Sequence, residues 1–79
     1  MNKRILEILS MCLLAKENGH DCFFNYSPHV KQIDVRIFLN GWENYQDPDH
    51  GLTAYTNIKS PLYKESELEI IENILIELI

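Results

Sequence analysis

Three kinds of hydrophobic spacing divide the chain. Between residues 3 and 18, Ile5, Ile8, Leu9, Cys12 and Leu13 recur at intervals of three and four, with Glu7, Ser10 and Glu17 on the opposite side. That is the pattern of an amphipathic helix, and Gly19 provides a stop because glycine accepts the left-handed cap conformation. Leu14 points to the polar side and is expected at the surface. From residue 31 to 39 the period changes to two: Ile33, Val35, Ile37 and Leu39 face one way, and Gln32, Asp34, Arg36 and Phe38 the other. One face of this strand is therefore buried and the other is not. Flanking strands are expected over 21–26 and 52–59. Toward the end, Leu68, Ile71, Leu75, Leu78 and Ile79 return to helical spacing; Ile70 and Ile74 widen the stripe, and Ile76 lies outside it. Ser66 and Glu69 have the spacing of a capping box, which predicts a helix start near Ser66.

Ser27-Pro28-His29-Val30 reads as a type I turn joining the first two strands, with proline at its second position. That turn sets Phe24 opposite Ile33, Cys22 opposite Val35 and Asp21 opposite Arg36, the last an opposite-charge pair on the outer face. His29 at the tip is read as a solvated turn residue. Asn40-Gly41 ends the second strand, and residues 40–51 form a loop longer than a hairpin needs. The expected architecture is a single α+β domain over residues 1–79. Its order is α-β-β-β-α, with a three-stranded antiparallel meander covered on one face by two helices.

Length makes the core a marginal one: a chain of 79 residues buries only about 60% of the surface it exposes when unfolded. Dimerisation is one way to recover stability, and the isoleucine-rich last helix or the outer sheet face is expected to serve it. Charge is unevenly placed. The net −5 resides in residues 65–79, where Glu65, Glu67, Glu69, Glu72 and Glu77 meet no basic residue. The N-terminal stretch carries Glu7 mid-way and lacks a small-residue cleavage pattern, and no apolar run is long enough for a membrane span. A cytoplasmic protein with no membrane contact is expected, with Cys12 and Cys22 reduced and serving as small core residues.

Motifs for chemistry are lacking. There is no phosphate-binding glycine loop, nucleophile elbow or zinc-helix signature. Cys22 falls on the buried face, unsuited to act with His20 as a nucleophile. Asp47, Asp49 and His50, with Glu43 nearby, lack the spacing of calcium or zinc sites. No enzyme, catalytic residue, metal ligand set or cofactor is expected; a small metal protein or enzyme is the weakest of the alternatives. The outer sheet face and the long loop carry the candidate partner site: Phe23, Arg36, Phe38 and Tyr55 on the sheet, with Trp42 and Tyr45 from the loop. Aromatic patches of this kind mark protein contacts. Aromatics on a sheet can also stack bases, which makes a nucleic-acid-associated domain the alternative.

Two resemblances bear on this choice. The element order is similar to that of double-stranded RNA-binding domains, which grip phosphate with lysines at the start of the last helix. Here that position reads Glu65-Ser66-Glu67-Leu68-Glu69, so nucleic acid is not the expected partner. The segment NYSPHVKQIDVRIF followed by NGW resembles a pattern in small uncharacterised phage and prophage proteins of Gram-positive bacteria, through Tyr26, His29, Val30, Val35, Gly41 and Trp42. The resemblance implies a mobile-element protein that binds a host or phage protein, with no catalytic residues to transfer.

Overall fold

The computed structural model describes residues 3–42 and 47–79. The order is α1 (Lys3–Glu17), β1 (Asp21–Ser27), β2 (Gln32–Phe38), β3 (His50–Tyr55) and α2 (Glu65–Ile76). The strands form an antiparallel sheet in the order β1-β2-β3, and both helices pack on one face of it. The expected α+β architecture is therefore the observed one.

The core is apolar throughout. Ile33, Val35 and Ile37 of β2 and Ala54 of β3 meet Ile5, Ile8 and Cys12 of α1 and Leu68, Ile71 and Leu75 of α2. Among the described residues no polar or charged residue is buried as a whole, although the Glu67 Oε1 atom is enclosed without a hydrogen-bond partner; the apolar core side chains add their burial. In α1 the buried stripe runs Ile5, Ile8, Cys12, Ala15. Leu13, expected on this stripe, is 68% exposed. The small Ala15 side chain lets the helix seat on a 3-4-3 spacing, which turns Leu13 outward. Ile79 of the expected α2 stripe is likewise exposed.

Gly19, at φ +86, ends α1. Its amide reaches the Lys16 carbonyl, and that of His20 reaches Ala15, at 3.0 and 3.2 Å. This is the paired closure of a glycine-capped helix. The C-terminal ends of the two helices are joined by Asn18, whose side-chain amide donates to the Leu78 carbonyl at 2.8 Å. At the other end Arg4 bridges them. Its Nε and Nη2 donate to the Glu72 carboxylate at distances down to 2.6 Å, and Nη1 reaches Glu65 at 3.3 Å.

The hairpin register differs from the expected one by two residues. Phe24 pairs with Val35, Cys22 with Ile37, Asp21 with Phe38 and Ser27 with Gln32. The connection is thus the four residues 28–31, ending on Lys31 at φ 51, and not a turn closing at Val30. A shift of two keeps every side chain on its face, so the core is unaffected. The Asp21–Arg36 pair is lost: Arg36 instead sits 3.2 Å from Asp34 on its own strand. The third strand ends early, at Tyr55; one further bond continues its register, with the Thr56 amide and hydroxyl both donating to the Lys31 carbonyl.

The capping box is also absent. Helix α2 starts at Glu65, with Lys64 extended before it and no side-chain cap. Ser66 and Glu69 therefore lie inside the helix, where they cannot cap it. Glu65 and Glu67 occupy its first turn, the location favoured by the helix dipole.

Candidate functional site

Neither helix covers one face of the sheet. Register places Asp21, Phe23, Asn25 and Ser27 of β1, Gln32, Asp34, Arg36 and Phe38 of β2, and Gly51, Thr53 and Tyr55 of β3 on the side away from the helices. Its two ends differ. At the Asp21 end, the connection from β2 to β3 is fastened to the sheet. The Gly41 amide donates to the Phe38 carbonyl at 3.2 Å, and the Asp49 amide to Ile37 at 2.9 Å. The Asp49 carboxylate accepts from the Leu39 amide at 2.7 Å, and His20 donates through Nδ1 to the Leu39 carbonyl at 2.7 Å.

Asp21 is the central anchor. One carboxylate oxygen takes Lys16 Nζ at 2.7 Å, and the other takes the Trp42 amide at 2.7 Å. These two donors, Lys16 first and then the Trp42 amide, hold its pKa below the usual carboxylate value. Gly41, at φ +87, makes this possible: a left-handed residue is needed for the chain to turn back on Asp21.

The sequence-derived site residues separate into groups. Phe23 and Arg36 lie directly opposite each other on the outer face and are both exposed, Phe23 by 43%. Trp42 is 50% exposed, and its backbone is tied to Asp21, two residues from Phe23. Phe38 shares the face but is only 3% exposed. It is therefore not a contact residue but a small second core, packed edge-to-face on Phe23 with centroids 5.5 Å apart. Near the same end, Pro48 lies 3.9 Å from where a Gly51 side chain would begin on the outer face. Tyr55 pairs with Gln32 at the far end, four residues along from Arg36, or about 13 Å by strand rise. It is not part of one patch with Phe23. Tyr45 and Glu43 lie outside the described residues.

The other candidate chemistries find their residues engaged in structure. Burial pushes the Cys12 thiol up to about 12, and Cys22 is also raised, chiefly by burial. Neither is poised as a thiolate nucleophile. Asp49 is committed to Leu39, and His50 pairs with Ile37 in the sheet. Among the described residues no group of acidic, histidine or cysteine side chains could hold a metal. No helix there is long and apolar enough to cross a membrane.

Two features escaped the sequence reading. The anchoring role of Asp21 was hidden by the misplaced register. The second is a stripe of α1 beside the core one, Leu6, Leu9 and Leu13, with Leu6 49% and Leu13 68% exposed. Its own 3-4 spacing was available in the sequence but was absorbed into a single broad face. No family model, curated protein or solved structure matches the chain.

Proposed function

We propose that this chain is a non-enzymatic interaction protein, of the small phage and prophage kind that the Tyr26–Trp42 segment resembles. It binds a protein partner through the Asp21 end of its outer sheet face. The observation that supports this is a half-exposed tryptophan whose backbone is tied to the sheet. The Trp42 amide is held by Asp21, two residues along β1 from exposed Phe23, which pairs with exposed Arg36. Tryptophan, tyrosine and arginine dominate the energetics of protein interfaces, and a residue whose backbone is held in advance loses less entropy on binding. The net charge of −5 favours a protein over a phosphate backbone.

Self-association falls within the same reading, on the same face. The last helix is less suited to it. Ile70 and Ile76 are exposed but lie about 120° apart around the helix by its 3.6-residue period, with Glu69, Asn73 and Glu77 between them. They make no continuous apolar stripe.

The test uses wild type and a Phe23→Ala/Trp42→Ala variant as paired baits on a bacterial host lysate. The expected result is a protein retained by the wild type and lost by the folded variant. Identical retention by both would overturn the reading. Tight, salt-sensitive binding to a single-stranded oligonucleotide would replace it with the nucleic-acid one.

A further inference from the structure

By ordinary dimensions, a layer of two helices is wider than a sheet of three strands. Two helices packed side by side span about 20 Å, whereas three strands span about 14 Å. The difference is about one strand. Lys16 shows on which side part of that overhang lies. It shares a flank of α1 with Leu6, Leu9 and Leu13, at spacings of three and four, and it reaches down to Asp21 of β1. The opposite flank carries Arg4, which faces α2 through Glu72. The leucine flank therefore projects along the free edge of β1.

Among the described residues no strand pairs with that edge. β1 is the outermost strand on its side. The Thr56 amide bonds to the Lys31 carbonyl at 2.8 Å, in the same register that pairs Ile33 with Ala54 and Val35 with Leu52. Alternation in an antiparallel ladder then turns Gln32, Asp34, Arg36 and Phe38 toward β1. It follows that Phe23 and Asn25 bond inward, while Cys22, Phe24 and Tyr26 direct their N–H and C=O groups outward. Natural edges are usually blocked by lysine, proline, a bulge or an inward charge. β1 reads DCFFNYS and pairs without interruption, and its one charge, Asp21, is neutralised by Lys16. Apolar side chains stand exposed on both sides of it: Leu6, Leu13 and Tyr26 on the helix side, and Phe23 on the other.

We infer that β1 accepts an added strand from a partner protein, lying under the Leu6–Leu9–Leu13 flank. This rests on the protein-binding reading above and names the form of the partner. The occupant is an extended, proline-free segment with apolar residues at alternate positions. Its main chain pairs with Cys22, Phe24 and Tyr26, and its apolar face fills the overhang. A second copy does not fit the same edge. Joining two sheets through β1 gives six strands, about 29 Å wide, beneath four helices that need about 40 Å, so the α1 helices would collide.

The probe is a displayed library of peptides of about nine residues, with Val, Ile or Leu fixed at three alternate positions and the rest random. The selected peptide is added to the full chain, and amide exchange is read by NMR. Free protein is expected to exchange Cys22, Phe24 and Tyr26 quickly and Phe23 and Asn25 slowly. The peptide should slow the first three by roughly tenfold or more. Methylating the peptide nitrogens that face β1, or Leu13→Glu in the protein, should weaken binding roughly tenfold, about 1.4 kcal/mol. Failure to recover a binder would overturn the proposal. So would concentration-dependent protection of the three amides without peptide, which indicates a second copy. A binder that leaves those amides unprotected but contacts Phe23, Arg36 and Trp42 would overturn the strand and leave the protein-binding reading in place.

Discussion

On the helix side of β2, Ile33, Val35 and Ile37 are wholly buried, each between neighbours from β1 and β3. On the other side Gln32, Asp34 and Arg36 meet water to varying degrees, and only Phe38 is enclosed. The first face is closed by two helices; no helix covers the second, where Phe38 is enclosed at one end against Phe23. The contrast teaches that burial on a sheet face is decided by what comes to cover it. Phe38 belongs by alternation to the solvent face and by packing to the interior. Phe23, in edge contact with it, stays half open.

The largest effects should follow burial across both faces. Ile33→Ala and Phe38→Ala are each expected to cost about 3 kcal/mol, through lost burial and a residual cavity. That is a large share of the roughly 4–12 kcal/mol typical for a domain of this size. Phe23→Ala should cost less than about 1 kcal/mol. Denaturant titration checks all three, and a Phe38→Ala variant as stable as Phe23→Ala would mean that Phe38 is not enclosed at this end.

A smaller effect is expected between the helices. Glu72→Gln breaks the paired contact with Arg4 but leaves Glu65 in reach. Both partners are a quarter exposed, so solvent screening limits the loss to about 1 kcal/mol. Thermal denaturation at low and high salt should show the difference shrinking as salt rises.

At the turn end the sign reverses. Lys31 holds φ 51, a conformation that disfavours a side chain, so Lys31→Gly should stabilise by up to about 1 kcal/mol. Destabilisation would show that the Lys31 side chain makes a contact worth more than the strain.

The smallest effect is acidic. The Asp21 pKa is lowered in the folded protein, so its contribution is fully present above the ordinary carboxylate value and fades as pH falls through the lower folded one. Trp42 emission should change in that acidic window, and Asp21→Asn should remove the change.

Much of the fold was legible because spacing carries it. The period-two run of β2 and the three-four runs of the helices set the element order and the faces. Register was not legible, since a shift of two leaves every residue of β1 on the same face, and the deciding feature, Lys31 in a left-handed conformation, has no glycine to announce it. Phe38 was misread because alternation assigns it to the outer face, whereas its enclosure and its edge contact with Phe23 are tertiary features that alternation does not carry. Ser66 and Glu69 matched a local capping pattern, but the chain reaches the helix one residue sooner, at Glu65. Of the site, Phe23 and Arg36 were found from strand alternation and Trp42 from residue type; the bond that holds Trp42 was not.

Trp42 is the one tryptophan in the chain, and it tests the placement of the binding site directly. Protein labelled with 5-fluorotryptophan gives a single fluorine resonance, to be recorded free and in complex with the partner captured by the wild-type bait. A shifted resonance with reduced solvent-isotope sensitivity is expected, as Trp42 passes from half exposed to buried. A resonance unchanged while the partner is bound would contradict the assignment of the Asp21 end of the outer face as the site.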